Sequence, residues 1–507
     1  MSAEGAPDPA GEGVPSGSGP VLLQLPGGAV RGVALGGNLR CWKGIPFARA
    51  ARFRAPEPPL PWPGVLAADR FGPACPQAVP RLPLAAGPPA RFDEDCLRIS
   101  VWSAVPPGAR RPVMLWVHGG AFMIGSGDMY DGAAFAASGE IVFATINYRL
   151  GVLGFCDLGD ALGDGRIDSN LGLRDQIAAL HWLRRNVAAF GGDPDRITLA
   201  GESAGAISVA LLLHAPSARG LFHQAILQSG GINLIHGRPR AALLAERFLS
   251  LLGPDGSSLE RLQALPLQRL LRAQNELQRG DAGGIATTPW FDGDLLPASM
   301  DEATDPAPVR LLAGFNRHEI RSFALFPNRV VPRRRADLAA MLREGLGRPA
   351  AEAVLRQYPD RRAATGALAT DLYFAMPTRH VAERQAAMAA TWFYRFDRRH
   401  PLFGAIHGLD LLFLFELRGW LWDLLRGGRL KGGRRRLATR MRGYWVRFVA
   451  SGSPGDDWPP YRLPERAVRL FGRRDQMVCD PDRARREAWG GRDVPTGSID
   501  AGALGHN

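Results

Sequence analysis

The chain has 507 residues, 46% hydrophobic and 22% charged, which is the make-up of a globular protein long enough to fill one elaborated α/β core. Its net charge of +13 would suit a nucleic-acid partner. Yet the 62 basic residues include only two lysines, Lys43 and Lys431, and the arginines are spread among Ala, Gly and Pro, a spread that reads as coding bias in a GC-rich genome. The one dense cluster, Arg418 to Arg442, is expected to be a solvated helix face.

Residues 1–20 lack the basic start and apolar stretch of a signal peptide and predict a disordered lead-in. Residues 490–507 predict a flexible tail, leaving 21–489 as one domain. The most apolar run, Leu411 to Leu417, is short and contains Glu416, so no membrane span is expected and the chain is placed in the cytoplasm. Cys41, Cys75, Cys96, Cys156 and Cys479 show no C-x-x-C spacing, which argues against zinc and for free, mostly buried thiols.

In chain order, Val21–Val33 reads as a hairpin with a glycine turn, and Ala55–Pro89 as a Pro-rich loop. Strands are predicted at 97–102, 113–117 and 141–148. Leu173, Ile177, Leu180, Leu183 and Val187 recur at helical spacing, and Gly191-Gly192 close that helix. Further strands are predicted at 197–200 and 225–228, with a helical run at 206–213 between them. Beyond 235 the pattern turns helical, with later strands at 309–314 and 391–397. Segments 330–390 and 415–445 are expected as helical excursions capping one end of the sheet. Alternating strands and helices specify a mainly parallel sheet with helices on both faces.

Chemistry concentrates at Gly201-Glu202-Ser203-Ala204-Gly205, where a strand runs into a helix. This is the layout of a nucleophile elbow, which lifts a serine hydroxyl above the sheet at a helix N-terminus. A serine needs a base, and in such elbow proteins the acid and then the histidine follow in chain order. His380, His400 and His407 qualify by position, and His407 is preferred because Gly404-Ala-Ile-His-Gly408 is a flexible loop beyond a strand. For the acid, Glu319 follows the 309–314 strand. Asp292 and Asp294 are rivals, although Phe291-Asp292-Gly293 reads as a turn. His118-Gly-Gly-Ala-Phe122 follows a buried strand and could turn the amides of Gly120 and Ala121, with that of Ala204, toward a carbonyl oxygen.

Together with Glu94-Asp-Cys-Leu97, Asn147-Tyr-Arg-Leu-Gly151, Asn170-Leu-Gly-Leu-Arg-Asp-Gln176, Phe190-Gly-Gly-Asp-Pro194 and Gln228-Ser-Gly230, these segments resemble the type-B carboxylesterases over about residues 21–475. That family includes cholinesterases, liver carboxylesterases and bacterial p-nitrobenzyl esterases. The resemblance implies an α/β-hydrolase fold, Ser203 as nucleophile, Glu319 as acid and His407 as base, with oxyanion donors at Gly120, Ala121 and Ala204. Ile320 departs from the small residue the family places after its acid. The resemblance also implies a Cys75–Cys96 pairing, which in a reducing compartment stays open. The loop between them carries Phe92 and no tryptophan, which removes the family's cation–π platform for choline.

The expectation is thus a serine esterase acting through an acyl-enzyme on small to medium uncharged esters, with no cofactor or metal. Nucleic acid and membrane are not expected as partners, and the chain is expected to be a monomer or weak dimer. Glu202 either adds negative potential near the site or is a solvated elbow residue. A catalytically silent cholinesterase-like binding protein is the alternative, one that typically lacks the serine or histidine this chain keeps.

Overall fold

A computed structural model describes residues 20–78, 91–281, 284–323, 331–416, 420–492 and 494. The expected lead-in (apart from Pro20), most of the expected tail, the last third of the Pro-rich loop and Arg418 lie outside these residues.

Thirteen strands form a single sheet among the described residues. They are β1 (Pro20–Leu25), β2 (Gly28–Gly36), β3 (Leu39–Pro46), β4 (Val65–Ala67), β5 (Arg98–Ser103), β6 (Arg111–Val117) and β7 (Val142–Ile146). Then follow β8 (Gly192–Glu202), β9 (Gln224–Gln228), β10 (Arg310–Asn316), β11 (Thr391–Phe396), β12 (Ala467–Phe471) and β13 (Gln476–Cys479). The order across the sheet is β1-β2-β3-β5-β7-β6-β8-β9-β10-β11-β12-β13, with β4 beside β2. From β7 to β12 every neighbouring pair is parallel, whereas β1-β2-β3-β5-β7 and the β12–β13 hairpin are antiparallel, and β4 runs parallel to β2.

Strand alternation sorts the core into two layers. Val113, Leu115 and Val117 of β6 pack in the larger apolar cluster with Leu199, Leu227 and Ala313. Met114 and Trp116 face the smaller one with Ile226, Leu312 and Tyr394. Both faces are therefore buried, which explains why these strands read as continuous apolar runs.

The predicted central strands are all present, within a few residues of their expected ends. The 173–187 helix runs Leu171–Asn186, and the helix behind Ser203 runs Ala204–Leu212. β3 and β12 had no clear sequence signal, because glycine, lysine and arginine interrupt them, while β13 and β4, the latter inside the expected Pro-rich loop, are too short to stand out. One expectation is corrected. The 330–390 segment is helical as expected, but the latter part of 415–445 belongs to a helix, Gly432–Ser451, that lies along the sheet rather than capping its end. Trp445 Nε1 donates to Gln228 Oε1 at 2.9 Å, and Gln224 Nε2 donates to Val449 O at 3.1 Å, from adjacent parts of β9. Its buried stripe of Leu437, Met441, Trp445 and Val449 recurs every four residues, so one face of the helix is core and only the opposite face is solvated.

Candidate active site

The parallel strands carry all three expected residues off their carboxyl ends: Ser203 directly after β8, Glu319 three residues beyond β10, and His407 in the loop after β11. At Ser203 the backbone takes φ 56° and ψ −124°, a region that costs a non-glycine residue about 1–3 kcal/mol. The surroundings hold it there. Ser203 N–H donates to Gln228 O at 2.9 Å, and the helix behind closes with Ile207 N–H on Ser203 O at 2.9 Å. The turn is so tight that a Cβ on Gly201 would lie 2.5 Å from the carbonyl carbon of Gly205, and one on Gly205 would lie 2.2 Å from Val117 O. Glycine is required at both places because the obstruction is backbone.

The 118–122 loop abuts this elbow. A Cβ on Gly119 would meet Ser203 Cβ at 3.1 Å. Gly120, Ala121 and Phe122 all have positive φ, and the amides of Met123 and Ile124 both donate to Gly120 O, closing the turn. Among the described residues nothing accepts from the Gly120 or Ala121 amides, and Ala204 opens its helix with an orphan N–H. His118 is spent on structure. Its ring stacks on Tyr148 at 4.4 Å, its carbonyl accepts from the Tyr148 hydroxyl, and burial pushes its pKa down to about 4, so it is neutral.

His407 Nδ1 lies 2.8 Å from Glu319 Oε2, and Glu319 is 0% exposed. The Glu319 carboxylate is fixed from the other side, since Oε1 accepts from the Asn316 amide at 2.5 Å and Ser229 faces it. Burial holds Glu319 above the usual carboxylate range, while His407 pulls the other way. The free imidazole nitrogen, Nε2, is 3.3 Å from Glu202 Oε1, a buried oxygen with no hydrogen-bond partner among the described residues. Burial, with Asp410 and Glu319 nearby, raises Glu202 to about 8. Burial alone would lower His407, but Glu202 and Glu319 together raise it to about 9. Glu202 is therefore no solvated elbow residue. Among the described residues Ser203 and His407 share no hydrogen bond; the imidazole reaches the carboxylate next door instead.

The rival candidates have other work. His400 Nδ1 accepts from the amides of Leu402 and Phe403, and its Nε2 lies on Leu424 O, with no carboxylate. His380 sits within the Met376–Ala386 helix. Asp292 caps its own turn and accepts from Ser169 and Asn170, while Asp294 pairs with Arg174. Cys75 and Cys96 are buried, unbridged thiols in contact; that hydrogen bond and burial push the Cys96 thiol upward.

Asp410 escaped notice in the sequence. Fully buried three residues after His407, it accepts from Gln228 Nε2 (2.8 Å), Asn316 Nδ2 (3.0 Å) and the Tyr394 hydroxyl (3.1 Å). It thereby ties the histidine loop to the ends of β9, β10 and β11. A lone acid inside Leu409-Asp-Leu-Leu-Phe-Leu414 was the available signal. Phe374 and Phe323, whose ring centroids lie 4.6 and 5.2 Å from that of His407, had none. Among the described residues no group of three or more His, Cys, Asp or Glu side chains is arranged to hold a metal ion.

A mostly parallel sheet clothed by helices, with a strained serine between β8 and its following helix, defines an α/β-hydrolase. Residues 20–478 match the carboxylesterase family, and the chain belongs to that family and is a carboxylic ester hydrolase. It is 35% identical to the para-nitrobenzyl esterase of Bacillus subtilis (strain 168), across 91% of this chain and 96% of that one. The phenmedipham hydrolase of Pseudarthrobacter oxydans is 33% identical, across 87% and 93%. Among solved structures, a PNB esterase superposes with a TM-score of 0.83 at 35% identity, covering 92% of this chain and 99% of that one. The carboxylesterase EST55 of Geobacillus stearothermophilus gives 0.79 at 34% identity, with the same coverage.

Proposed function

We propose that this esterase works by covalent catalysis at Ser203, with His407 as general base and acid, Glu319 as its orienting carboxylate, and the amides of Gly120, Ala121 and Ala204 as oxyanion donors. The observation that carries this is the 2.8 Å Glu319–His407 pair, formed between loops at the carboxyl ends of β10 and β11, beside the elbow. Glu319 holds the proton on Nδ1, so the neutral ring keeps a lone pair on Nε2. In the imidazolium form Nε2–H faces Glu202; loss of that proton frees Nε2 to take the one on Ser203. The serine oxygen then adds to the ester carbonyl, and the carbonyl oxygen becomes an oxyanion within the amide cradle. Collapse breaks the ester C–O bond, and the alcohol leaves with the proton from Nε2. Water, deprotonated by the same nitrogen, releases the acid and restores Ser203.

Small to medium uncharged esters suit a site walled by Phe374 and Phe323 beside the imidazole and carrying buried carboxylates that would repel an acid. The names of the p-nitrobenzyl esterase and phenmedipham hydrolase relatives add aryl-bearing substrates to that class. The test is hydrolysis of p-nitrophenyl acetate and butyrate by the wild type, Ser203→Ala and His407→Ala. Each variant should lose on the order of 10⁴–10⁶ in kcat. A fluorophosphonate probe should label the wild type once, at Ser203. Wild-type turnover in either variant, or labelling elsewhere, would overturn the assignment.

A further inference from the structure

Sheet geometry gathers three cation-bearing segments at one corner of the molecule. Phe396 of β11 and Phe471 of β12 are register partners in a parallel pair, so the chain leaves both strands side by side, with the Asp397 amide on Phe471 O at 2.8 Å. This sets Arg398 and Arg399 next to Arg473 and Arg474. The first turn of the Gly432–Ser451 helix is the third segment. The 427–434 stretch packs on His400 and Pro401, and Arg440 pairs with Asp475 at 2.5 Å, fastening that helix to the β12–β13 turn. There Arg435 and Arg436 line an open depression of ≈ 590 Å³ with Gly432, Thr439 and Arg440.

These charges are not neutralised from within. The neighbouring carboxylates are engaged elsewhere: Asp397 by Arg317 and Arg395, Asp475 by Arg440, Asp482 by Arg395, and Asp423 by Arg426. Among the described residues Arg398, Arg399, Arg435, Arg436, Arg473 and Arg474 have no ion pair. The helix adds to the field, because its cap is Lys431 and its first turn contains no acid. Two groups register that field. Burial, then Arg321, Arg317 and Arg399, push His318 down to about 4, and burial, then Arg434 and Arg473, push Arg398 down.

Apolar side chains protrude at the same corner. Leu402 is 78% exposed and Leu424 is 55% exposed. Leu402 stands between the arginine pair at 398–399 and the loop that carries His407. A short helix, Trp420–Leu425, which bears Leu424, is joined to it where Leu424 O meets His400 Nε2 at 3.0 Å. Cations flanking protruding leucines match a surface that is anionic outside and hydrocarbon beneath; a nucleic-acid backbone would leave the leucines in water.

We propose that this corner docks on anionic lipid surfaces, with the arginines on headgroup phosphates and Leu402 and Leu424 in the acyl boundary below. Such contact is peripheral, and it is independent of how the ester is cleaved. It would bring the loop preceding His407 against the phase where apolar esters concentrate.

The experiment is co-sedimentation of the full chain with phosphatidylcholine vesicles, with and without phosphatidylglycerol. Wild type should sediment with the anionic vesicles only, and high salt should release it. Arg435→Glu combined with Arg436→Glu should weaken that binding roughly thirtyfold or more, from the loss of about 1 kcal/mol per surface cation. Leu402→Ser should weaken it without changing its dependence on phosphatidylglycerol. All variants should hydrolyse soluble p-nitrophenyl butyrate at the wild-type rate, which reports an intact fold. Equal behaviour on neutral and anionic vesicles, or vesicle binding untouched by the arginine changes, would overturn the proposal. So would tight, salt-sensitive binding to duplex DNA with none to vesicles.

Discussion

Glu202 and His407 form a buried pair in which each favours the other's charged form, Glu202 raising the pKa of His407 and His407 pulling that of Glu202 down against burial, and this sets the pH response. Below its raised pKa the imidazole is protonated and cannot accept from Ser203, so kcat/KM is expected to climb with pH along an acid limb above the 6.5 of a free imidazole. Glu202→Gln removes the nearer carboxylate's charge while keeping its shape. The limb should then move to lower pH, read from kcat/KM profiles of both enzymes. An unmoved limb would mean that Glu202 does not govern the titration. Asp410→Asn keeps an acceptor for Gln228 or Tyr394 but loses the charge those donors and Asn316 share, and the expected result is a fall in kcat with little change in KM.

At the scale of elements, the elbow depends on backbone meeting backbone. Gly201→Ala forces a methyl against the Gly205 carbonyl carbon, where no side chain can swing aside. A loss of about 1–3 kcal/mol in stability is expected from denaturant titration, together with loss of activity from the displaced serine. A second prediction concerns the Leu171–Asn186 helix. Arg149 and Asp175 pair bidentately, Nε to Oδ2 at 2.8 Å and a terminal nitrogen to Oδ1 at 2.7 Å, with both side chains buried. Asp175→Ala strands a buried guanidinium and should cost about 3–5 kcal/mol. This pair joins two of the segments that carried the family resemblance, so part of that signature is a structural clamp rather than chemistry.

Across the whole molecule, Arg483–Trp489, the last helix among the described residues, packs back far from the elbow in sequence. Trp489 is buried and donates from Nε1 to the Tyr358 hydroxyl at 3.1 Å. Tyr358 donates in turn to Asp371, at the head of the turn that presents Phe374 to His407. Trp489→Ala should cost about 3–5 kcal/mol and release residues 480–492 to limited proteolysis before the core unfolds. Proteolysis at a wild-type rate would show that the helix is not needed to hold that end.

Local signals were strong where a single stretch of chain makes the feature. The β8–Ser203–helix turn, the glycine loop at 118–122 and the amphipathic 171–186 helix each follow from neighbours within about ten residues, because sterics and periodicity act at that range. The alternation of strands and helices likewise determined a parallel sheet with the chemistry at its carboxyl ends. What only the fold decided are contacts between distant segments: that His407 Nδ1 reaches Glu319 at 2.8 Å, that Glu202 faces His407 Nε2, and that Asp410 binds three strand ends. The Gly432–Ser451 helix went the same way, its buried face being chosen by β9 and β6. Such choices rest on desolvated charges and on packing partners hundreds of residues apart, and no local pattern encodes the distance between them.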